Sequence, residues 1–265
     1  MDIVKLIERY RKLGIAEVID HEKFNHISIV HHSTKIEGST LTETETQVLL
    51  NEGLTPKGKP LTDTLMVTDH FSALNFSLEQ AGQKRPVSVE LIREINALVM
   101  KSTGKTYNTV FGAIDSSTGA FRNGNVSAGV SYFPNYDKVE ILTNKLVLEM
   151  SNLMKADLTD TAKINLSFDA HFNLVSIHPF YDGNGRTSRL LMNYFQAYYG
   201  LPLAIVHSES KAEYIEALIT TREKNDINIF RKFMEDEYSR LLSSEIKKFE
   251  EIDMPGKGKG FTLLF

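Results

Sequence analysis

The run HPFYDGNGRTSR, residues 178–189, sets a histidine, an aspartate and two arginines close together around two glycines. Ile164, Phe168, Phe172 and Val175 precede it at helical spacing, and Pro179 ends that helix because the residue before a proline is pushed out of the α region. His178 therefore stands just past a core helix with its backbone fixed. An imidazole titrates near neutrality, and the negative end of a helix favours the imidazolium it becomes on accepting a proton, so His178 suits a general base. Alone, a His-Pro pair reads first as a structural histidine capping helix carbonyls. The residues that follow change this. Asp182-Gly183-Asn184-Gly185 turns straight into a second helix, where glycines let the backbone curl around a ligand and free N–H groups bind anions. Arg186 and Arg189 lie three apart on its first turn, where cationic side chains oppose the helix dipole. They make sense around a polyphosphate, with Asp182 available to its Mg²⁺ or as a cap.

Over this run the chain resembles the signature of Fic-domain proteins, HPF-x-[D/E]-GN-[G/K]-R-x-x-R, at every defined position, and the likeness extends over roughly residues 86–235. The resemblance implies a Fic fold: mainly α, a helical bundle with a small β-hairpin flap over the active site. It implies a protein adenylyltransferase that moves AMP from ATP, with Mg²⁺, onto a Tyr, Thr or Ser hydroxyl of a target protein or of the enzyme itself. His178 would deprotonate the hydroxyl and Asp182 would hold the metal against the α- and β-phosphates. Gly183, Asn184 and Gly185 would form the anion hole, Arg186 would contact the inner phosphates and Arg189 the γ-phosphate. Catalysis would then be positioning and charge neutralisation.

Two further stretches are similar to the family. Residues 121–134 would be the flap, which pairs with an extended target segment by strand addition, with Ala128, Gly129, Val130 and Ser131 nearest the nucleotide. Tyr214 falls where the family places an aromatic residue beside the adenosine; its plainer role is helix packing. Upstream, Ser33 and Glu37 lie one turn apart before Gly38, a helix terminator, which puts a carboxylate in the last turn where the dipole disfavours it. The pattern resembles the family's inhibitory motif, [S/T]-x-x-x-E-[G/N]. Glu37 would pair with Arg189 and deny it to the γ-phosphate. Within the family, an intact inhibitory glutamate also accompanies AMP removal, and kinase relatives carry Lys where this chain has Gly185. A fold kept as an inactive binding module would show an altered histidine or second arginine, and neither is altered.

These residues need a helical frame. Periodicity predicts helices over 2–13, 23–37, 43–51, 61–80, 88–101, 136–154, 161–177, 184–199, 211–222 and 227–250. Asn123-Gly124 and the alternation through Val126, Ala128, Val130 and Tyr132 mark the best strand pair. Thr42-x-x-Glu45 reads as a capping box. The expected organisation is an N-terminal helical region with the inhibitory helix over 1–85, a core over 86–235, and a helix end with an apolar-tipped flexible tail over 236–265. Gly104-Lys105-Thr106 lacks the first glycine of a phosphate loop and reads as a helix-terminating turn; His31-His32 lacks a zinc partner at helical spacing.

With 265 residues, 42% hydrophobic and 24% charged, the composition is that of a folded domain. A net charge of −4 argues against a nucleic-acid binder, and the absence of cysteine excludes disulfides and thiolate metal sites. The amphipathic start, MDIVKLIERYRKLG, is no signal peptide and no run is long enough to span a membrane, so the expected location is the cytoplasm.

Overall fold

The computed structural model describes the whole chain except Met1, Ile19, Val130 and residues 253–265. The apolar tail predicted at the C-terminus, MPGKGKGFTLLF, and the flap position Val130 therefore lie outside the described residues. Ten α-helices form among the described residues, each matching a predicted one with its ends shifted by at most two residues. They are α1 (Ile3–Lys12), α2 (His21–Ile36), α3 (Glu43–Glu52), α4 (Leu61–Gly82), α5 (Val89–Val99), α6 (Tyr136–Met154), α7 (Asp160–Ile177), α8 (Asn184–Tyr198), α9 (Lys211–Lys224) and α10 (Ile227–Ile252).

Local chemistry sets the helix starts. Thr42 and Glu45 form the expected reciprocal capping box on α3. Ser88 caps α5 by accepting from Leu91 N, and Thr159 caps α7 by accepting from Ala162 N. After α5 the chain turns through Gly104, whose N–H donates to the Met100 carbonyl at 2.8 Å. A Cβ at Gly104 would lie 2.8 Å from Ser117 N, so close packing requires the glycine.

The β structure departs from expectation. Two antiparallel pairs form: β1 (Thr106–Thr109) with β2 (Gly112–Asp115), and β3 (Ser127–Ala128) with β4 (Ser131–Tyr132). The longer hairpin is the first, which the sequence pattern did not mark because residues 106–115 do not alternate apolar with polar. Asn123-Gly124 is a bend before β3 and not a hairpin turn. The second pair turns further on, with Gly129 at φ +56° and Ala128 paired to Ser131.

Helix α8 lies at the centre, packed most extensively on α7 and α4 and also on α5 and α2. From Arg186 to Gln196 every residue of it is buried. Two of its buried amides pair with the chain beyond it: Gln196 Oε1 accepts from Ala204 N at 2.8 Å and Asn193 Nδ2 donates to the Ala204 carbonyl at 3.0 Å. One apolar cluster joins Val30, Val67, Leu74, Ile92, Leu174, Leu190 and Tyr194, which fixes α2, α4, α5, α7 and α8 together. A second joins α1, α7, α9 and α10 through Ile7, Phe168, Tyr214, Phe230 and Tyr238. The helix bearing Ser33 is thus built into the same core as the helix bearing Arg189.

Candidate active site

The site forms where α7 ends and α8 begins. His178 caps α7 in the left-handed conformation, φ 53° and ψ 59°, with its N–H on the Leu174 carbonyl at 3.0 Å. Its Nδ1 lies 3.3 Å from the Val175 carbonyl. A neutral ring donating there presents a bare Nε2, the tautomer a base needs. Burial, opposed only in part by that carbonyl, pulls the imidazole down from 6.5 to about 4, and the nearby Arg122 and Arg222 push the same way. Desolvation outweighs the helix end, which by itself favours the imidazolium.

The loop between the helices is pinned by Asn184. Its Oδ1 accepts from Phe180 N at 3.0 Å and its Nδ2 donates to the Phe180 carbonyl at 2.9 Å. The turn then passes through Gly183 at φ +77°, where a Cβ would also meet Asn96 Nδ2 at 2.8 Å and Met100 Sδ at 2.9 Å. Asp182 is half-exposed; its Oδ1 accepts from Gly183 N at 2.6 Å and from Arg186 Nη2 at 3.4 Å.

Both arginines of α8 are 3% exposed and point into this region. Arg186 makes only long contacts, to the Val99 carbonyl at 3.4 Å, Met100 Sδ at 3.3 Å and Asp182, and its Nε has no partner. Arg189 is gripped by α2: Nε donates to Ser33 Oγ at 2.8 Å, and Nη2 donates to the Ser33 carbonyl at 2.9 Å and to Glu37 Oε1 at 2.7 Å. Its Nη1 is buried without a partner. Glu37 is the C-cap of α2 and is followed by Gly38 at φ +105°. Burial would raise this carboxyl, but Arg189 and Arg186 hold it below its ordinary value, so it is ionised. A Cβ at Gly185 would come within 2.6 Å of Glu37 Oε1, so the carboxylate lies against the first turn of α8. An anion is therefore already seated where the helix dipole and guanidinium groups attract one, and it is supplied by the chain itself.

The short β3–β4 flap reaches the site through Phe133, whose ring stacks on His178 at 3.8 Å between centroids. Ala128 and Gly129 are exposed, and Ser131 Oγ accepts from Arg222 Nη2 at 3.1 Å. Tyr214 is 2% exposed, with its hydroxyl 2.8 Å from His171 Nε2 and its ring 6.0 Å from the Arg189 guanidinium carbon. Packing under Arg189 is what the structure gives it, so its contribution reaches the site from beneath. Sequence reasoning missed Arg122, Phe133 and Arg222. Charged residues without a motif read as solvated surface, and a lone phenylalanine reads as core.

Mg²⁺ needs few protein ligands when phosphates supply the rest. A single half-exposed carboxylate beside two buried guanidinium groups with unpartnered N–H donors fits such a role. No cluster of three or more acidic, histidine or cysteine side chains suited to an all-protein metal site occurs among the described residues.

Comparison with known proteins gives a consistent result. Residues 86–196 match the model of the Fic/DOC family. The chain is 28% identical over 235 residues to the protein adenylyltransferase Fic of Aedes aegypti, covering 88% of this chain. It is 29% identical over 214 residues to that of Drosophila melanogaster, covering 80%. It spans 44% and 40% of those relatives' lengths. Among solved structures, it superposes with a TM-score of 0.80 and 26% identity on a Fic domain containing signaling protein from Bacteroides thetaiotaomicron, covering 95% of this chain and 98% of that one. It shares its fold with Fic-1 of C. elegans, at TM-score 0.73 and 22% identity, over 94% of this chain and 72% of that one.

Proposed function

The chain belongs to the Fic/DOC family through residues 86–196, and from that membership and the site's geometry we propose that it transfers AMP from ATP to a hydroxyl side chain of a protein and is held back by Glu37. His178 Nε2 takes the proton of the target hydroxyl. The hydroxyl oxygen bonds to the α-phosphorus, the bond to the bridging oxygen breaks, and pyrophosphate leaves. The amides of Gly183, Asn184 and Gly185 and the guanidinium of Arg186 receive the inner phosphates, and Arg189 receives the γ-phosphate. Asp182 would hold Mg²⁺, which when bound neutralises phosphate charge. The target presents an extended segment to the exposed edge of the flap, residues 121–134, near Ala128 to Ser131. Self-modification follows the same chemistry. The division into an inhibitory region over 1–85 and a catalytic core over 86–235 belongs to this reading. So does the cytoplasmic location; no helix among the described residues is long and apolar enough to cross a membrane.

The observation that carries the reading is the grip of Ser33 and Glu37 on Arg189. A guanidinium bound to a carboxylate of its own chain is unavailable to a triphosphate, and the same carboxylate repels one electrostatically. Glu37→Gly removes both obstacles. With α-labelled ATP and Mg²⁺, wild-type protein is expected to label itself or added protein weakly, and Glu37→Gly at least about tenfold more strongly, as for a positioning group restored to the transferring phosphates. Equal labelling by the two would remove the brake from this account.

A further inference from the structure

Arg122 stands at the start of the flap, ahead of β3, and is 2% exposed. Its guanidinium donates to three main-chain carbonyls from three places: Nε to His178 at 2.8 Å, Nη1 to Gly124 at 2.8 Å and Nη2 to Pro134 at 2.5 Å. Its own N–H donates to the Pro179 carbonyl at 3.0 Å. Gly124 stands before β3 and Pro134 after β4, so one planar group gathers both roots of the flap and ties them to the backbone of the histidine. Only a rigid fork of donors satisfies three acceptors in this way. The neighbouring Phe133 stacks on the His178 ring with an interplanar angle of 15°. Where the flap lies therefore decides where the ring lies. Arg222 holds the other side, with Nη2 on Ser131 Oγ and its guanidinium carbon 5.7 Å from the Phe133 centroid.

We propose that Arg122 is a positioning residue that locks the flap and His178 into one register, so that a target strand added to the flap delivers its hydroxyl to Nε2. This rests on the transfer reading above. A buried guanidinium with carbonyl partners alone is costly to keep. Burial lowers its basicity, and no carboxylate offsets this. A fold that needed only a surface loop tacked down has less expensive means. What the arrangement gives is a flap and a base that move as one body.

The test is Arg122→Lys, made in the Glu37→Gly background; lysine keeps the charge and the aliphatic stem and loses the fork. Transfer to a protein target is measured with kcat and KM resolved, alongside ATP affinity by calorimetry and amide exchange over residues 123–134. The expected result is an unchanged ATP affinity with kcat lower by about tenfold or more, the scale on which small misplacements of reacting groups act. A kcat within about twofold of the parent overturns the proposal, since misplacement costs far more than that. If the variant does not fold, Phe133→Leu, which removes the stack between flap and ring, takes its place with the same split expected and the same result against it. If the Glu37→Gly parent transfers nothing, the transfer reading fails by itself. Exchange then decides for Arg122: flap amides are expected to exchange about tenfold faster in Arg122→Lys with α7 unaffected, and unchanged flap exchange overturns the lock.

Discussion

As the base proposed above, His178 would act with its proton off, and its surroundings keep the ring neutral. The pull from 6.5 to about 4 comes first from burial. A base with a depressed pKa is in its active, neutral form everywhere above that value. The acid limb of the transfer rate is therefore expected near pH 4, with no inflection from this residue between about pH 6 and 8, where an unperturbed histidine would give one. A pH–rate profile of the Glu37→Gly protein checks this; a limb centred near 6.5 that disappears with a changed His178 would contradict it. Because the proposed mechanism sets the ring against the hydroxyl and not the phosphates, His178→Ala is expected to abolish transfer while leaving ATP affinity within a few-fold by calorimetry, the mark of a group acting in the transition state. Gly183 has a different vulnerability. At φ +77° with Asn96 and Met100 in contact range, Gly183→Ala is expected to destabilise the protein by ~1–3 kcal/mol in urea titration.

Helices α2 and α8 meet through a carboxylate at the end of α2, where the dipole disfavours it, and a buried guanidinium in the second turn of α8. Pairing resolves both. Removing Glu37 leaves the buried Arg189, whose Nη1 already has no partner, without its carboxylate, so Glu37→Gly is expected to be less stable than wild type by ~1–3 kcal/mol, less than for a fully buried pair because Glu37 is one-third exposed. On the proposed mechanism, Mg-ATP then supplies the missing anion. The melting temperature of Glu37→Gly is expected to rise with Mg-ATP more than that of wild type, since a ligand stabilises what it binds; equal shifts in calorimetry would argue against an exchange of one anion for another. Much of this junction could be read in advance. Helical periodicity, the proline after His178, the glycines after Asp182 and the spacing of Ser33, Glu37 and Gly38 are local signals. The β elements were less legible. Residues 106–115 pair without alternation, and Asn123-Gly124 bends because Arg122, Tyr181 and Thr109 hold that stretch from outside it. Arg122 itself carries no local signal, since the acceptors of its guanidinium lie up to 56 positions away.

Across the whole molecule, six of the eight histidines are biased toward the neutral form by burial. His70 and His171 are fully enclosed and pushed well below 6.5, His32 and His178 are lowered to about 4, and His26 and His31 move the same way. In each, loss of solvent is the largest cause. The folded rings refuse protons that the unfolded chain accepts below about 6.5, so stability falls as pH drops through that value. For His32 and His178 the loss stops growing below about 4. A lower calorimetric melting temperature at about pH 5 than at about pH 7.5 is expected, before the carboxylates begin to titrate. An unchanged value would show that these rings are not closed off from protons.

His178 sits at φ 53°, a region that costs a side chain with a Cβ about 1 kcal/mol or more and costs glycine almost nothing. Selection for stability alone would thus replace it. His178→Gly is expected to melt above His178→Ala while both are inert in transfer. On the transfer reading, an imidazole at a position where the backbone itself prefers no side chain is what the proposed chemistry would ask of the chain.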